Sequence, residues 1–98
     1  MKKIERKNVA WGKLSDAEYE LLQRESGLNC LADNAHSTAF GAGQMIQSQR
    51  IRYAKKLGIK NPDTTDCMEQ LAMFRAYYGD RYGSDVAALN FHLANRYY

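Results

Sequence analysis

The chain has 98 residues, 45% of them hydrophobic, enough for one modest core and one domain. Fourteen Lys and Arg against 11 Asp and Glu leave a net charge of +3; so mild an excess suits contact with an anionic surface without deciding between cell wall, membrane face and nucleic acid. No apolar run approaches the ~20 residues needed to span a bilayer, the charged start has no apolar stretch after it and is not expected to be a secretory signal, and a single proline with no low-complexity tract argues against disorder beyond the N-terminus.

Residues 1–14 lack a clean period and carry Lys2, Lys3, Arg6, Lys7 and Lys13. They are expected to form a basic, extended arm with Trp11 as an anchor, ahead of one domain over residues 15–98. Ser15-Asp16-Ala17-Glu18 has the Ser-x-x-Glu spacing of a capping box, in which the two side chains satisfy two orphan amides. Ala17, Leu21 and Leu22, with Tyr19 beside them, predict a one-sided helix. It should run to Arg24 or Glu25 and stop at Gly27. Residues 26–43 hold Asn, Asp, Ser, Thr and Gly with no sustained period. They predict a long ordered loop with at most one short turn, and loops of this length inside compact domains are usually functional.

A second helix is predicted over Gln47–Leu57, with Ile51, Ala54 and Leu57 inward and Gly58 as its C-cap. Arg50, Arg52, Lys55 and Lys56 cluster on it and read as a solvated face. Asn61-Pro62-Asp63 is a turn. A third helix should start near Thr65 or Asp66, with Asp66 and Glu69 favouring its positive end. Met68, Leu71, Phe74 or Arg75, Tyr78 and Tyr82 mark its spacing; Gly79 is a place where it can break, and Gly83 ends it. Ser84 caps a last helix from Asp85 to about Asn95, with Val86, Leu89, Leu93 and Tyr97 on one face and Asn90 with them. No β-hairpin signal is evident. The expected fold is all-α, with little or no β.

Glu25 is the residue through which this chain can do chemistry. Glycosidic cleavage needs an acid that stays protonated near neutral pH, and burial supplies one by disfavouring the ionised form. A helix C-terminus adds to this through the negative end of its dipole. Leu21, Leu22 and Leu28 are close enough in sequence to form an apolar wall. The plainer reading is an exposed charge at a helix end. The two cysteines are no disulfide framework; whether Cys30 and Cys67 pair is open, and the default for each is a buried small hydrophobe. Cys30, His36, Cys67 and His92 show no Cys-x-x-Cys or His-x-x-x-His pairing, so neither metal nor cofactor is expected. His92 is expected as a core-edge histidine.

Taken together, Glu25-Ser26, Asn29, Ala32, Asn34, Ser37, Ala39 and Gly41-Ala42-Gly43-Gln44 resemble the first two motifs of the soluble lytic transglycosylase domain family. The form Ser37-Thr38-Ala39-Phe40-Gly41-Ala42-Gly43-Gln44 looks most like the branch found in phage lysins, virion-associated lysins and small secreted wall proteins. Tyr78-Gly79-Asp80-Arg81-Tyr82-Gly83, Ala87-Ala88 and the closing Ala94-Asn95-Arg96-Tyr97-Tyr98 are similar to that branch's Arg-Tyr-Gly, alanine-rich helix and aromatic finish. The resemblance spans residues 15–98.

The resemblance implies a small lysozyme-like helical domain with a long active-site loop. It implies cleavage of peptidoglycan glycan strands between N-acetylmuramic acid and N-acetylglucosamine, with one Glu as acid and then base and 1,6-anhydro ends as products. Glu25 matches the family's catalytic acid/base and Ser26 the serine that buttresses it. Gln44 matches a glutamine lining the cleft. Gly41 and Gly43 match positions where the backbone approaches the glycan, which a Cβ would block. Asn34 or Ser37 falls where the family has a polar contact to an N-acetyl group. Asn90 keeps the Asn of the family's Ala-Tyr-Asn motif, but Leu89 stands where the Tyr would be. Tyr78, Tyr82 or His92 is available to replace it, and a tyrosine such as Tyr82 could stack on sugar.

The same fold also hosts hydrolytic muramidases, for which Asp33 is the one candidate second carboxylate, although a turn-forming role suits it better. A non-catalytic wall-binding module is a further alternative. So is a helical nucleic-acid binder using Gln47-Ser48-Gln49-Arg50-Ile51-Arg52-Tyr53 as a recognition helix. The expected partners are glycan strands, with no nucleic acid, no membrane insertion and a monomeric chain. The expected place of action is the bacterial cell wall, reached in a virion or through a phage or export system.

Overall fold

The computed structural model describes residues 8–9 and 12–95. The basic residues up to Lys7, the Trp11 anchor and the Arg96-Tyr97-Tyr98 finish lie outside the described residues. Two two-residue strands, β1 (Asn8–Val9) and β2 (Gly12–Lys13), pair antiparallel. They correct the expectation of an unpaired arm at those positions. Four helices follow, α1 (Asp16–Ser26), α2 (Gln47–Leu57), α3 (Cys67–Tyr82) and α4 (Asp85–Asn95). The domain is all-helical apart from the short ladder, with α1 and α3 packed on α4 and α2 packed on α3.

Local chemistry explains the helix ends. The Ser15 hydroxyl accepts from Glu18 N–H at 3.0 Å and the Glu18 carboxylate accepts from Ser15 N–H at 2.9 Å, completing the capping box. Asp66 caps α3 by accepting from Met68 N–H at 2.8 Å. Gly27, Gly58 and Gly83 close their helices in the left-handed conformation. α3 runs through Gly79 without a break. One glycine costs a helix about 1 kcal/mol, less than the packing of buried Leu71, Phe74 and Tyr77 on that helix returns.

Two predicted inward faces are rotated. On α2, Ile51 and Leu57 are exposed, while Arg50, Tyr53 and Ala54 are buried. On α4, Val86 and Leu93 are exposed, Asn90 is exposed, and Ala88 and His92 are buried. Arg50 is buried because the fold satisfies it. Its guanidinium donates to the carbonyls of Thr38 and Met45 and to the Asp63 carboxylate, so it staples the long loop to α2.

Residues 27–46 form the ordered loop. Phe40 bridges to both Asp33 and Met45, and Gly41 takes φ +86°, which only glycine adopts cheaply. Two ties fasten the loop to α3. Gln70, buried, donates to the carbonyls of Cys30 and Thr64 and accepts from Ala42 N–H. Cys30 and Cys67 form a disulfide, with Cα atoms 5.6 Å apart. The default of two reduced, buried thiols is therefore corrected: loop folding brings Cys30 against the first turn of α3 within bridging distance.

Candidate active site

Glu25 is the penultimate residue of α1, and its side chain is only 18% exposed. It lines an open cleft of ≈ 470 Å³ with Arg24, His92 and Leu93. Burial pushes its carboxyl up to about 7, because the ionised form loses hydration that nothing nearby replaces. A carboxyl with that value is protonated in a large fraction of molecules at neutral pH, which is the requirement for a general acid.

Glu18, two turns earlier on α1, has the opposite fate. Burial pushes its carboxyl up as well, but the Arg75 guanidinium, the Ser15 N–H and the Tyr78 hydroxyl together hold it below its usual value. Arg75 Nε donates at 2.7 Å and Tyr78 Oη at 2.6 Å. One helix thus carries two shielded carboxyls with environments that push them apart. Glu18 is a fixed anion tying α1 to α3, and Glu25 is a carboxyl at a cleft that can keep its proton near neutral pH.

The loop behind Glu25 holds its place through Ser26. The Ser26 hydroxyl donates to the Ala42 carbonyl at 2.6 Å and accepts from Asn29 N–H at 3.1 Å. This fits a buttress rather than a sugar ligand. Gln44 donates its amide to the carbonyls of Ala32 and Gly41 at 3.0 and 2.8 Å, so its nitrogen braces the loop.

Gly41 and Gly43 are needed for a reason other than the one expected. A Cβ on Gly41 would meet the Gln70 amide at 2.7 Å, and one on Gly43 would meet the Phe74 ring at 2.7 Å. Both positions are buried, and their bareness makes room for α3 rather than for a glycan. Asn34 and Ser37 are both exposed and both form turns, accepting from His36 N–H and Ala39 N–H respectively.

Several expected participants lie elsewhere. Tyr82 is half-buried, with its ring 5.1 Å from Phe91 and 6.4 Å from Tyr77, and it does not line the Glu25 cleft. Tyr78 is committed to Glu18. Asn90 points away from the buried side of α4. Asp33 lines a different depression of ≈ 280 Å³ with Phe40, Arg50 and Asp63. Among the described residues lining the cleft, Glu25 is therefore the sole carboxylate.

The residue that does come to Glu25 is His92, expected at the core edge and also as one of three candidates, with Tyr78 and Tyr82, to stand where the family's tyrosine would be. Its Nδ1 lies 3.2 Å from Glu25 Oε1. Burial lowers its pKa, and the Arg24 charge lowers it further. The separation would suit an ion pair, but both environments favour neutral forms: burial keeps the Glu25 carboxyl protonated up to about pH 7, and burial with the Arg24 charge disfavours the imidazolium of His92. Ala88 and His92, one turn apart on α4, share its buried face. No group of three or more His, Cys, Asp or Glu among the described residues is placed to hold a metal ion.

Comparison of the chain with protein-family models, curated proteins and solved structures finds no match.

Proposed function

We propose that this chain is a peptidoglycan lytic transglycosylase that uses Glu25 as its single acid and base. The observation that carries the reading is a lone, half-shielded carboxyl in an open cleft, raised to about 7. Protonated Glu25 gives its proton to the glycosidic oxygen as the bond to the muramyl C1 breaks. The resulting carboxylate takes the proton of the muramyl C6 hydroxyl while that oxygen bonds to C1. The ring closes as the 1,6-anhydro form, and Glu25 is protonated again.

An inverting hydrolase needs a second carboxylate roughly 6.5–9.5 Å away, and a retaining one needs a nucleophile closer in. With Glu25 the sole carboxylate among the described residues of the cleft, one-residue chemistry suits the site better. The Cys30–Cys67 disulfide favours work in an oxidising compartment, outside the reducing cytosol. Among the described residues no helix is long and apolar enough to cross a membrane.

The test is clearance of purified cell walls by wild type and Glu25→Gln. The amide keeps the shape and cannot act as the acid or base. Wild type should clear the suspension and the variant should not. Equal clearance would remove Glu25 from catalysis, and sedimentation of wild type with intact walls would point to a binding module.

A further inference from the structure

A groove of ≈ 380 Å³ lies between α2 and α3, and none of its lining residues belongs to the Glu25 cleft. Tyr53 and Tyr77 form its floor, both buried and packed edge to face with ring centroids 6.0 Å apart. Arg52 stands on the α2 side and Arg81 on the α3 side, both exposed. Ser48 and Gln49 complete the α2 wall.

The groove carries positive charge that its own acid does not offset. Asp80 is the one carboxylate among its described lining residues. It accepts from Lys56 Nζ at 2.9 Å and from the Tyr53 hydroxyl at 3.0 Å, and these two bonds hold its carboxyl below the usual value. Lys56 and Asp80 therefore cancel. Arg52 acts on Asp80 through its charge alone, without a hydrogen bond, and lies 5.8 Å from the centroid of the Tyr53 ring. Arg81 lies 5.4 Å from the centroid of the Tyr82 ring, and the side chains that act on it are Tyr77 and Tyr82, phenols rather than carboxylates. Two guanidinium charges are left over.

A guanidinium presents parallel N–H donors that match the planar fork of a carboxylate. The Gln49 amide and Ser48 hydroxyl add neutral donors and acceptors, suited to hydroxyl and acetamido groups. Nucleic acid fits less well. Single strands are held by bases stacking on open rings, and Tyr53 and Tyr77 are each only 4% exposed. On a peptidoglycan strand every N-acetylmuramic acid brings a carboxylate, on its lactyl ether when bare and on its stem peptide when substituted.

We propose that the α2/α3 groove is a second glycan subsite, in which Arg52 and Arg81 bind the carboxylate of a muramyl unit outside the Glu25 cleft. The identity of the ligand rests on the glycan-strand reading above; the surplus charge of the groove does not. The groove holds the strand and takes no part in breaking the bond. Holding one unit of a strand makes the meeting of another with Glu25 effectively intramolecular.

Nitrogen–proton NMR titration of the wild-type protein reads the groove without turnover. The probes are the N-acetylglucosaminyl-N-acetylmuramic acid disaccharide with its lactyl carboxylate free, the same disaccharide with its stem peptide, and neutral chitobiose. None of them contains the bond from N-acetylmuramic acid to N-acetylglucosamine that Glu25 is read to cleave. At least one carboxylate-bearing form should shift the Arg52 and Arg81 side-chain signals together with Gln49, and chitobiose should not. The form that shifts them at lower concentration identifies which carboxylate is bound. Affinity should fall as NaCl rises from about 0.05 to 0.5 M. Arg52→Gln, at an exposed position, should keep the wild-type melting temperature and weaken binding about 5-fold, and Arg81→Gln should weaken it about as much.

No shift in the groove, equal shifts with chitobiose, shifts confined to Arg24, His92 and Leu93, or unchanged affinity in both arginine variants overturns the proposal. So does a short oligothymidine that shifts the groove at lower concentration than either disaccharide. If wild type clears no walls, the acid/base reading of Glu25 fails while the titration still decides the groove. If it clears walls and the groove stays silent, the subsite alone fails.

Discussion

Removing the disulfide should cost this domain most of its margin. The Cys30–Cys67 bridge closes a segment with a sequence separation of 37. That segment holds most of the long loop and all of α2. Loop closure of that length removes roughly 13 cal/mol/K of chain entropy from the unfolded state, or about 3.8 kcal/mol at 25 °C. The folded state should change little on losing the bridge, because Gln70 still holds the Cys30 and Thr64 carbonyls. At about 4–8 °C per kcal/mol for a chain of this size, the melting temperature should fall by roughly 20 °C. Calorimetry or urea unfolding of oxidised wild type, reduced wild type and the Cys30→Ala/Cys67→Ala double variant measures this. The last two should agree with each other and fall well below the first. Equal midpoints for all three, or two reactive thiols in the native oxidised protein, would refute the reasoning.

Other consequences follow from the same geometry. Glu25, raised to about 7 in the fold, costs stability as pH rises from the usual value of 4.5 through 7. Glu25→Gln should therefore match wild type at low pH and exceed it above pH 7, and urea midpoints that stay equal across that window would contradict the burial argument. Glu18 works in the opposite sense: its contribution is complete above its usual value and is lost as pH falls through its lowered folded value. Arg75→Met should cost about 3 kcal/mol at pH 7 by leaving a buried carboxylate short of its charge partner, with the difference shrinking toward pH 3; a pH-independent loss would mean packing rather than charge. Gly43→Ala should cost about 1–3 kcal/mol through its clash with Phe74. Gly79→Ala, with nothing within 4 Å of the new methyl, should gain about 0.5–1 kcal/mol, and reversed signs in thermal unfolding would show these two glycines misassigned.

The helix ends were legible because capping is local. Ser15 with Glu18, Gly27, Gly58, Asp66 and Gly83 act on amides within a turn or two, so their spacing carries the information. The buried faces of α2 and α4 were not. Arg50 and His92 are inward there, while Ile51 and Leu93 face out, because partners distant in sequence decide the matter. Arg50 is satisfied by Thr38, Met45 and Asp63, and His92 is buried where α4 meets the end of α1 beside Glu25. Glu25 was legible as a carboxyl at a helix end before a glycine-rich loop; that its neighbour is His92 required the packing of α4 on α1. The glycines of the loop were recognised as necessary, but their cause lies in Gln70 and Phe74 on α3. Cys30 and Cys67 gave no pattern, since two cysteines so far apart have no spacing rule to obey.

The most direct measurement is mass spectrometry of the soluble fragments released from purified peptidoglycan. One-carboxylate chemistry at Glu25 predicts glycan ends in the 1,6-anhydro form, a water mass lighter than reducing ends, and none of them with Glu25→Gln. Reducing ends alone from the wild-type protein would contradict the account.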